Sequence, residues 1–396
     1  MIMENITCPG FTAAGIAAGL KKNREKDLGL IFSKVPASVA GVFTNNRVQA
    51  APVRLDKERI KSGLCQAVIV NSGNANCCTG DEGMQNARIM AELAASNLNI
   101  SENLVLVAST GVIGKPLPIE KIEAVIRDLV NLLKPEGIAD LARAIMTTDS
   151  VPKWVSKKGI LKGHPFTVTG VAKGSGMISP DMATMLCFVC SDIGASPDLL
   201  KSSLSVSVDQ SFNRITVDGD TSTNDTVILM ANGLSEAVIK TEEDRKSFQY
   251  VLDDVLMLLA EKIVRDGEGA TKLIRIEVKG ALSHSDARRI ADTIADSNLV
   301  KTAFFGEDAN WGRILAAAGR AGVSFDPDST DIFFDEVLMV RNGMGRGEAA
   351  EVEATRVLKK PEFTVLIDLK SGSGQAFVLT CDFSVDYVKI NAEYRS

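Results

Sequence analysis

The residues best suited to chemistry lie in one stretch, Lys173-Gly174-Ser175-Gly176-Met177-Ile178-Ser179-Pro180-Asp181-Met182-Ala183-Thr184-Met185-Leu186. It opens as a glycine-rich loop and ends in the apolar run Met185 to Val189, which reads as a buried strand. Thr184 stands at the junction, directly after the small residue Ala183. A threonine hydroxyl is a weak nucleophile without a base beside it. One solution is to make the threonine an N-terminus, so that its own α-amine, with a pKa of about 7.7–8, takes the proton. Ala183–Thr184 is therefore a candidate self-cleavage bond and Thr184 the nucleophile it releases. The plainer reading is a β-branched residue opening a strand.

Other groups could serve such a nucleophile. Thr110 and Gly111 follow the expected strand Leu104–Ala108, where a hydroxyl and backbone N–H groups can cradle an oxyanion. An ordinary strand exit looks the same. Glu268 sits between Gly267 and Gly269 just past the end of the longest expected helix. A carboxylate is disfavoured at the negative end of a helix dipole, which points to use, against the alternative of a solvated turn. Thr147-Thr148-Asp149-Ser150 ends another helix, a place where hydroxyls and acids stop helices. The acid-rich loop Val217 to Asp225 lacks the terminal glutamate of a calcium loop, so no metal is expected there. Cys187 and Cys190 are spaced C-x-x-C, but they lie in an apolar run without a second ligand pair and read as core, as do Cys77 and Cys78. His164 and His284 are the only histidines, and both are expected at the surface. A Ser-His-Asp machine would have to use one of them, whereas an amine-activated threonine needs neither.

Around these residues the periodicity predicts short strands at 28–32, 39–43, 65–70 and 104–108. Helices are predicted at 84–98, 119–133 and 138–146, then a strand at 166–171 running into the glycine-rich loop. Beyond it come helices at 196–212 and 241–266, a strand at 273–278, and helices at 285–297 and 310–321. Alternation in Phe363–Leu369 and Phe377–Phe383 about Ser371-Gly372-Ser373-Gly374 predicts a hairpin. Strand groups followed by long helices give an α+β fold in layers.

The chain has 396 residues, 45% apolar and 24% charged, so it can bury large cores. Its net charge of −6 argues against a nucleic-acid partner. No apolar run is long enough to span a membrane and no secretory signal is visible, so a soluble cytoplasmic protein is expected. Seven scattered cysteines fit reduced thiols.

The stretch Lys173–Leu186 resembles the cleavage signature of the ornithine acetyltransferase family. The similarity continues through Asn45-Asn46-Arg47-Val48-Gln49-Ala50-Ala51-Pro52, Val70-Asn71-Ser72-Gly73-Asn74-Ala75-Asn76 and Ser109-Thr110-Gly111-Val112-Ile113-Gly114. It extends to Ala144–Asp149, Asp266–Lys272, Asp308–Arg313 and Asn391–Ser396. The resemblance implies transfer of acetyl from N-acetylornithine to glutamate in arginine biosynthesis. It also implies a layered αββα sandwich of the kind with an N-terminal threonine nucleophile, with a smaller C-terminal α/β part. Residues 1–183 would form an α chain and 184–396 a β chain, associating as α2β2. By the same resemblance Thr110 and Gly111 form the oxyanion hole, while Thr147, Lys173, Thr184, Glu268, Asn391 and Ser396 contact substrate. No bound cofactor is expected. Acetyl-CoA remains open as a second donor, because many members of that family accept it although no nucleotide fingerprint is present here. Two rivals stand: a self-processing amidase or aminopeptidase on a related scaffold, and an amino-acid-binding protein in which Thr184 is inert.

Overall fold

Two runs that look separate in the sequence, around Leu28–Phe32 and Val39–Phe43, turn out to be one bent strand, and much of the architecture follows from the bend. The computed structural model describes residues 6–22, 24–179 and 185–393. Ala183, Thr184 and Ser396 lie outside the described residues. The chain forms two compact units. The first holds residues 1–174, 181–213 and 221–263, and the second holds 175–180, 214–220 and 264–396.

The first unit contains β1 (Phe11–Ile16), β2 (Leu28–Phe43), α1 (Ala51–Arg59), β3 (Leu64–Asn74), α2 (Gly80–Leu98) and β4 (Val105–Val112). It continues with α3 (Ile119–Asn131), α4 (Ile138–Ala144), β5 (Lys153–Leu161), β6 (His164–Lys173), β7 (Leu186–Ser191), α5 (Pro197–Gln210), β8 (Thr226–Ala231) and most of α6 (Glu242–Arg265). Among the described residues these strands make one sheet in the order β4-β3-β2-β8-β7-β6-β5, with β1 beside β2. The first half of β2 pairs with β1 and β3; after an irregularity between Phe32 and Ala37 its second half pairs with β8. The sheet is thereby folded into two leaves whose inner faces share a core. Ile31, Val68, Val70, Leu106 and Ala108 meet Val171, Leu186, Phe188, Ile228 and Met230 there, joined by Ile138, Leu141 and Ala142 of α4.

The period-2 alternation of strands puts the neighbours of these residues on the outer face. Leu28, Leu30, Ala67, Ile69, Val105 and Val107 pack against Ala87, Met90, Ala91 and Ala94 of α2 and Ile122, Ile126 and Leu129 of α3. On the other leaf, α6 packs so close to β6 that a side chain on Gly170 would run into Leu259 and Val255. Helix, leaf, leaf, helix is the expected αββα layering.

The second unit contains β9 (Leu273–Ala281), α7 (His284–Ala295), α8 (Asn298–Phe305), α9 (Trp311–Gly319), β10 (Asp331–Phe334), β11 (Val337–Arg341) and β12 (Met344–Gly345). Then come α10 (Glu348–Leu358), β13 (Glu362–Asp368), β14 (Gly374–Cys381) and α11 (Val385–Glu393). Its sheet runs β12-β11-β10-β13-β9-β14, and one core joins Ile276, Val278, Ile367 and Val378 of the sheet to Ile290 and Ile294 of α7. The predicted hairpin of β13 and β14 is corrected here. The two strands do not pair with each other. Each pairs with β9, which lies between them, β13 parallel and β14 antiparallel to it.

Candidate active site

In the first unit, β3 and β4 run parallel and end together, with Ser72 opposite Thr110 and Gly73 opposite Gly111. The register then slips at Gly73 and Asn74, which frees the strand ends from the regular ladder. Gly111 has φ +133°, and a Cβ there would lie 2.4 Å from the Gly73 carbonyl carbon and 2.5 Å from the Asn74 nitrogen. Only glycine fits. Side-chain amides hold this exit: Asn71 Nδ2 donates to Asn74 O at 2.9 Å, and Ser109 Oγ donates to Asn71 Oδ1 at 2.6 Å. Ser72 Oγ donates to Ala144 O at 2.6 Å and so ties the end of β3 to the end of α4. Thr147 lies three residues beyond that carbonyl.

Thr147 belongs to a buried electrostatic cluster that the sequence did not announce. Its centre is Asp149, read beforehand as part of a helix stop. Asp149 Oδ2 accepts from the Thr147 N–H at 3.0 Å, and Oδ1 accepts from the Gly174 N–H at 2.7 Å. Lys153 Nζ donates to Oδ1 at 2.7 Å, while Lys173 Nζ stands 4.0 Å from Oδ2. The side chains of Asp149, Lys153 and Lys173 are 0%, 1% and 3% exposed. Burial pushes the Asp149 pKa up, but Lys173, Lys153 and the Gly174 N–H outweigh it and hold the carboxyl at about 2. Lys173 is thus a core lysine at the end of β6.

On the far side of residues 180–184, Met185 is fixed by the loop before β8. The Met185 N–H donates to Asp225 Oδ1 at 2.9 Å, and the Thr226 N–H donates to Met185 O at 3.1 Å. Asp225 is fully buried, and its Oδ2 has no hydrogen-bond partner among the described residues. Burial raises its pKa well above the carboxylate range, against smaller pulls from the Met185 N–H, Lys173 and the Ser222 and Thr44 hydroxyls. The preceding residue faces the strand exit: Asn224 Nδ2 donates to Ala75 O at 2.7 Å and to Ser109 O at 2.8 Å. Two adjacent side chains, Asn224 and Asp225, thus link the residue before Thr110 to the residue after Thr184.

In the second unit, Glu268 and Asn391 come together: Asn391 Nδ2 donates to Glu268 Oε2 at 2.7 Å and to Tyr387 O at 3.1 Å. Glu268 is buried, not a solvated turn residue. Its N–H donates to Ser175 O at 2.8 Å, and its carboxyl presses on the glycine-rich loop so closely that a Cβ on Gly176 would sit 2.4 Å from Glu268 Cδ. Asp218 of the acid-rich loop accepts the N–H groups of Met177 at 2.7 Å and Ile178 at 2.8 Å, and the Tyr387 hydroxyl at 3.2 Å. Burial raises the Asp218 pKa over the opposing pull of these donors.

Among the described residues no group of three His, Cys, Asp or Glu is placed to hold a metal ion. Cys187 and Cys190 are buried with thiol pKa values pushed up by burial. Cys77 is buried as expected, but Cys78 is exposed, a correction to the core reading of that pair. The turn carries Cys78 outward with φ +57°. His164 is exposed at the start of β6, and His284 opens α7, where it bonds Gln375 O and Arg214. Among the described residues no helix is long and apolar enough to cross a membrane.

The arginine biosynthesis bifunctional protein ArgJ of Geobacter sulfurreducens is 52% identical over 389 residues, covering 98% of this chain and 99% of that protein. The protein of the same name from Syntrophotalea carbinolica is 51% identical, again over 98% and 99%. Among solved structures, the ornithine acetyltransferase of Mycobacterium tuberculosis complexed with ornithine is 38% identical, covering 45% of this chain and 96% of that one, with a TM-score of 0.41. The model of the ArgJ family matches residues 12–396, and the chain belongs to that family.

Proposed function

We propose that the chain is an acetyltransferase of arginine biosynthesis that cleaves itself between Ala183 and Thr184 and then moves acetyl from N-acetylornithine to glutamate. Membership of the ArgJ family supports the activity. One observation supports the role of Thr184 most directly: Asn224 and Asp225 tie Ser109, the residue before Thr110, to Met185, the residue after Thr184. That linkage suits a hydroxyl attacking at Thr184 and an oxyanion held at Thr110 and Gly111.

In the precursor the Thr184 hydroxyl attacks the Ala183 carbonyl. The N-to-O shift gives an ester that water opens, leaving residues 1–183 and 184–396 as α and β chains. The new α-amine takes the hydroxyl proton, and Oγ attacks the acetyl carbonyl of N-acetylornithine. The Thr110 and Gly111 donors stabilise the tetrahedral oxyanion. The C–N bond breaks, ornithine leaves with the proton, and acetyl-Thr184 remains. The amine of glutamate then attacks the ester, regenerating the Thr184 hydroxyl and releasing N-acetylglutamate. Donor and acceptor share an α-amino-acid end, so one set of groups can serve both. The buried Lys173 ammonium suits a carboxylate. Thr147, Glu268, Asn391 and Ser396 enter as further substrate contacts. Acetyl-CoA is proposed as a second donor, the cytoplasm as the compartment, and α2β2 as the assembly.

Intact-mass spectrometry of purified protein tests the first half. Two masses summing to the precursor plus one water, with the second chain starting at Thr184, are expected. Incubation with N-acetylornithine should add one acetyl group to that chain, which glutamate removes. A single full-length mass in active protein would sink the threonine mechanism. Release of acetate without dependence on glutamate would favour the amidase reading.

A further inference from the structure

The motif Asn45–Pro52 takes no part in the reaction above, yet it forms a wall of a groove beside the oxyanion exit. The groove lies in the first unit and has a volume of about 410 Å³, within the range of about 300–1,000 Å³ usual for small-molecule sites. Arg47 and Val48, on the loop before α1, and Arg54 of α1 line it, facing Cys78 and Thr79 from the loop between β3 and α2. Backbone hydrogen bonds fasten both loops to the exit. The Ala50 N–H donates to Thr223 O and the Thr44 N–H to Asp225 O, both at 3.0 Å, so the Arg47 loop is held by the residues on either side of Asn224. The Cys78 loop continues the exit itself: the Ala75 N–H donates to Val112 O and the Gly114 N–H to Cys77 O, again at 3.0 Å, just past Gly111. The Ala51 N–H donates to Asn76 O at 3.1 Å and joins the two loops.

Charge selects what the groove can hold. The neighbouring cations are engaged: Arg59 pairs with Glu102, Lys61 with Glu58, and Lys57 Nζ donates to Thr44 O at 3.4 Å. Arg47 and Arg54 are exposed, and among the described residues neither guanidinium has a hydrogen bond or an ion pair. Nearby carboxylates do not answer them. Asp56 is fully buried and accepts the Val107 N–H, while Asp81 and Glu82, at the start of α2, are exposed and pair with neither arginine. Two free guanidiniums in a chain of net charge −6 suit a multiply anionic group, and the planar fork of arginine matches phosphate oxygens. Val48, 48% exposed, adds apolar surface beside the charges. We infer that this groove anchors the phosphates of acetyl-CoA and so holds the thioester donor at the oxyanion exit, whereas N-acetylornithine, which carries no phosphate, does not use it. The inference rests on the proposed use of acetyl-CoA as second donor. Thr184 Oγ then attacks the thioester carbonyl, the C–S bond breaks, and the CoA thiol leaves with the hydroxyl proton.

The test measures N-acetylglutamate formation from acetyl-CoA and from N-acetylornithine in wild type and in Arg47→Gln/Arg54→Gln. Arg341→Gln/Arg346→Gln, which removes two exposed arginines of the second unit, is the control for net charge. The ratio of kcat/KM for acetyl-CoA to kcat/KM for N-acetylornithine should fall at least about tenfold in Arg47→Gln/Arg54→Gln only, because a hydrogen bond to a charged group contributes that factor or more. Cys78 gives a readout without turnover. The other cysteines are buried, so a maleimide should label Cys78 alone in the native protein. Adenosine 3′,5′-bisphosphate should slow that labelling at least about threefold in wild type, since a ligand in such a groove covers the residues that line it, and should leave the rate unchanged in Arg47→Gln/Arg54→Gln. Protection of Cys78 with an unchanged activity ratio would make the groove a site for free nucleotide and overturn the donor assignment. An equal fall with both donors, or an equal fall of the ratio in the control, overturns it too. In each of these cases wild-type turnover of acetyl-CoA leaves the second-donor reading standing. Wild type that uses N-acetylornithine but not acetyl-CoA overturns that reading and the inference together.

Discussion

Gly111→Ala puts the oxyanion assignment under direct strain. The added Cβ would approach the Gly73 carbonyl carbon to 2.4 Å and the Asn74 nitrogen to 2.5 Å, about 1 Å inside ordinary contact. Both atoms are backbone of the paired strand, so no rotamer change relieves the clash. The strand exit must shift by roughly the overlap, and a displacement of about 1 Å in a catalytic constellation costs about 100-fold in rate. Loss of one oxyanion donor gives the same scale, about 10²–10³ in kcat, or roughly 3–4 kcal/mol. The positive φ adds strain of about 1–3 kcal/mol to the folded state. Gly114→Ala is the control: φ +80° in the same loop, with no atom within 4 Å of the new Cβ. It carries the backbone strain without the overlap. Steady-state acetyl transfer, with cleavage followed by mass spectrometry, should show slowed self-cleavage and kcat down about 100-fold for Gly111→Ala only. Equal kcat in the two variants, at similar loss of thermal stability, would refute the assignment of the Gly111 backbone to the oxyanion.

Two further outcomes follow from the buried carboxyls. Asp149 has a folded pKa of about 2, below its unfolded value near 4, so its stabilisation is present above pH 4 and is lost as the pH falls toward 2. The shift corresponds to about 2–3 kcal/mol, so urea unfolding of wild type and Asp149→Asn should converge by that amount between about pH 5 and pH 2; a constant gap would show that Asp149 is not ionised in the fold. Asp225 has the opposite sign: its raised pKa means stability is given up as the pH climbs past the unfolded value near 4. At neutral pH Asp225→Asn should therefore match or exceed wild type. Asp225→Ala, which strips the Met185 N–H of its acceptor, should cost about 1–3 kcal/mol. Equal destabilisation of the two variants would argue against a neutral Asp225.

What could be read from the sequence was whatever is encoded locally. Apolar periodicity located α2, α3, α5, α6 and α7 within a few residues, because each helix carries its own buried stripe. Strands announced themselves by alternation but not by partner. Phe363–Leu369 and Phe377–Phe383 looked like a hairpin because a Ser-Gly turn joins them, yet β9, some ninety residues earlier, separates them. Likewise 28–32 and 39–43 read as two short strands, when the bend between them is the fold of β2 from one leaf to the other.

The acids misled for a deeper reason. Asp149 passed for a helix stop, and the density of carboxylates at 217–225 invited comparison with a metal loop. Their actual duty follows from the backbone. Residues 174–179 follow β6 and Met185 precedes β7, so their N–H groups do not all find ladder partners, and a buried N–H without an acceptor is costly. The described donors are each met by a carboxylate: Gly174 by Asp149, Met177 and Ile178 by Asp218, Met185 by Asp225. The acceptors lie 25 to 41 residues from their donors, a separation at which no spacing rule operates. The aspartates therefore take the place of ladder acceptors for the described residues on either side of 180–184. Asp149 is set apart by two lysines that keep it ionised, whereas burial pushes Asp218 and Asp225 toward the neutral form.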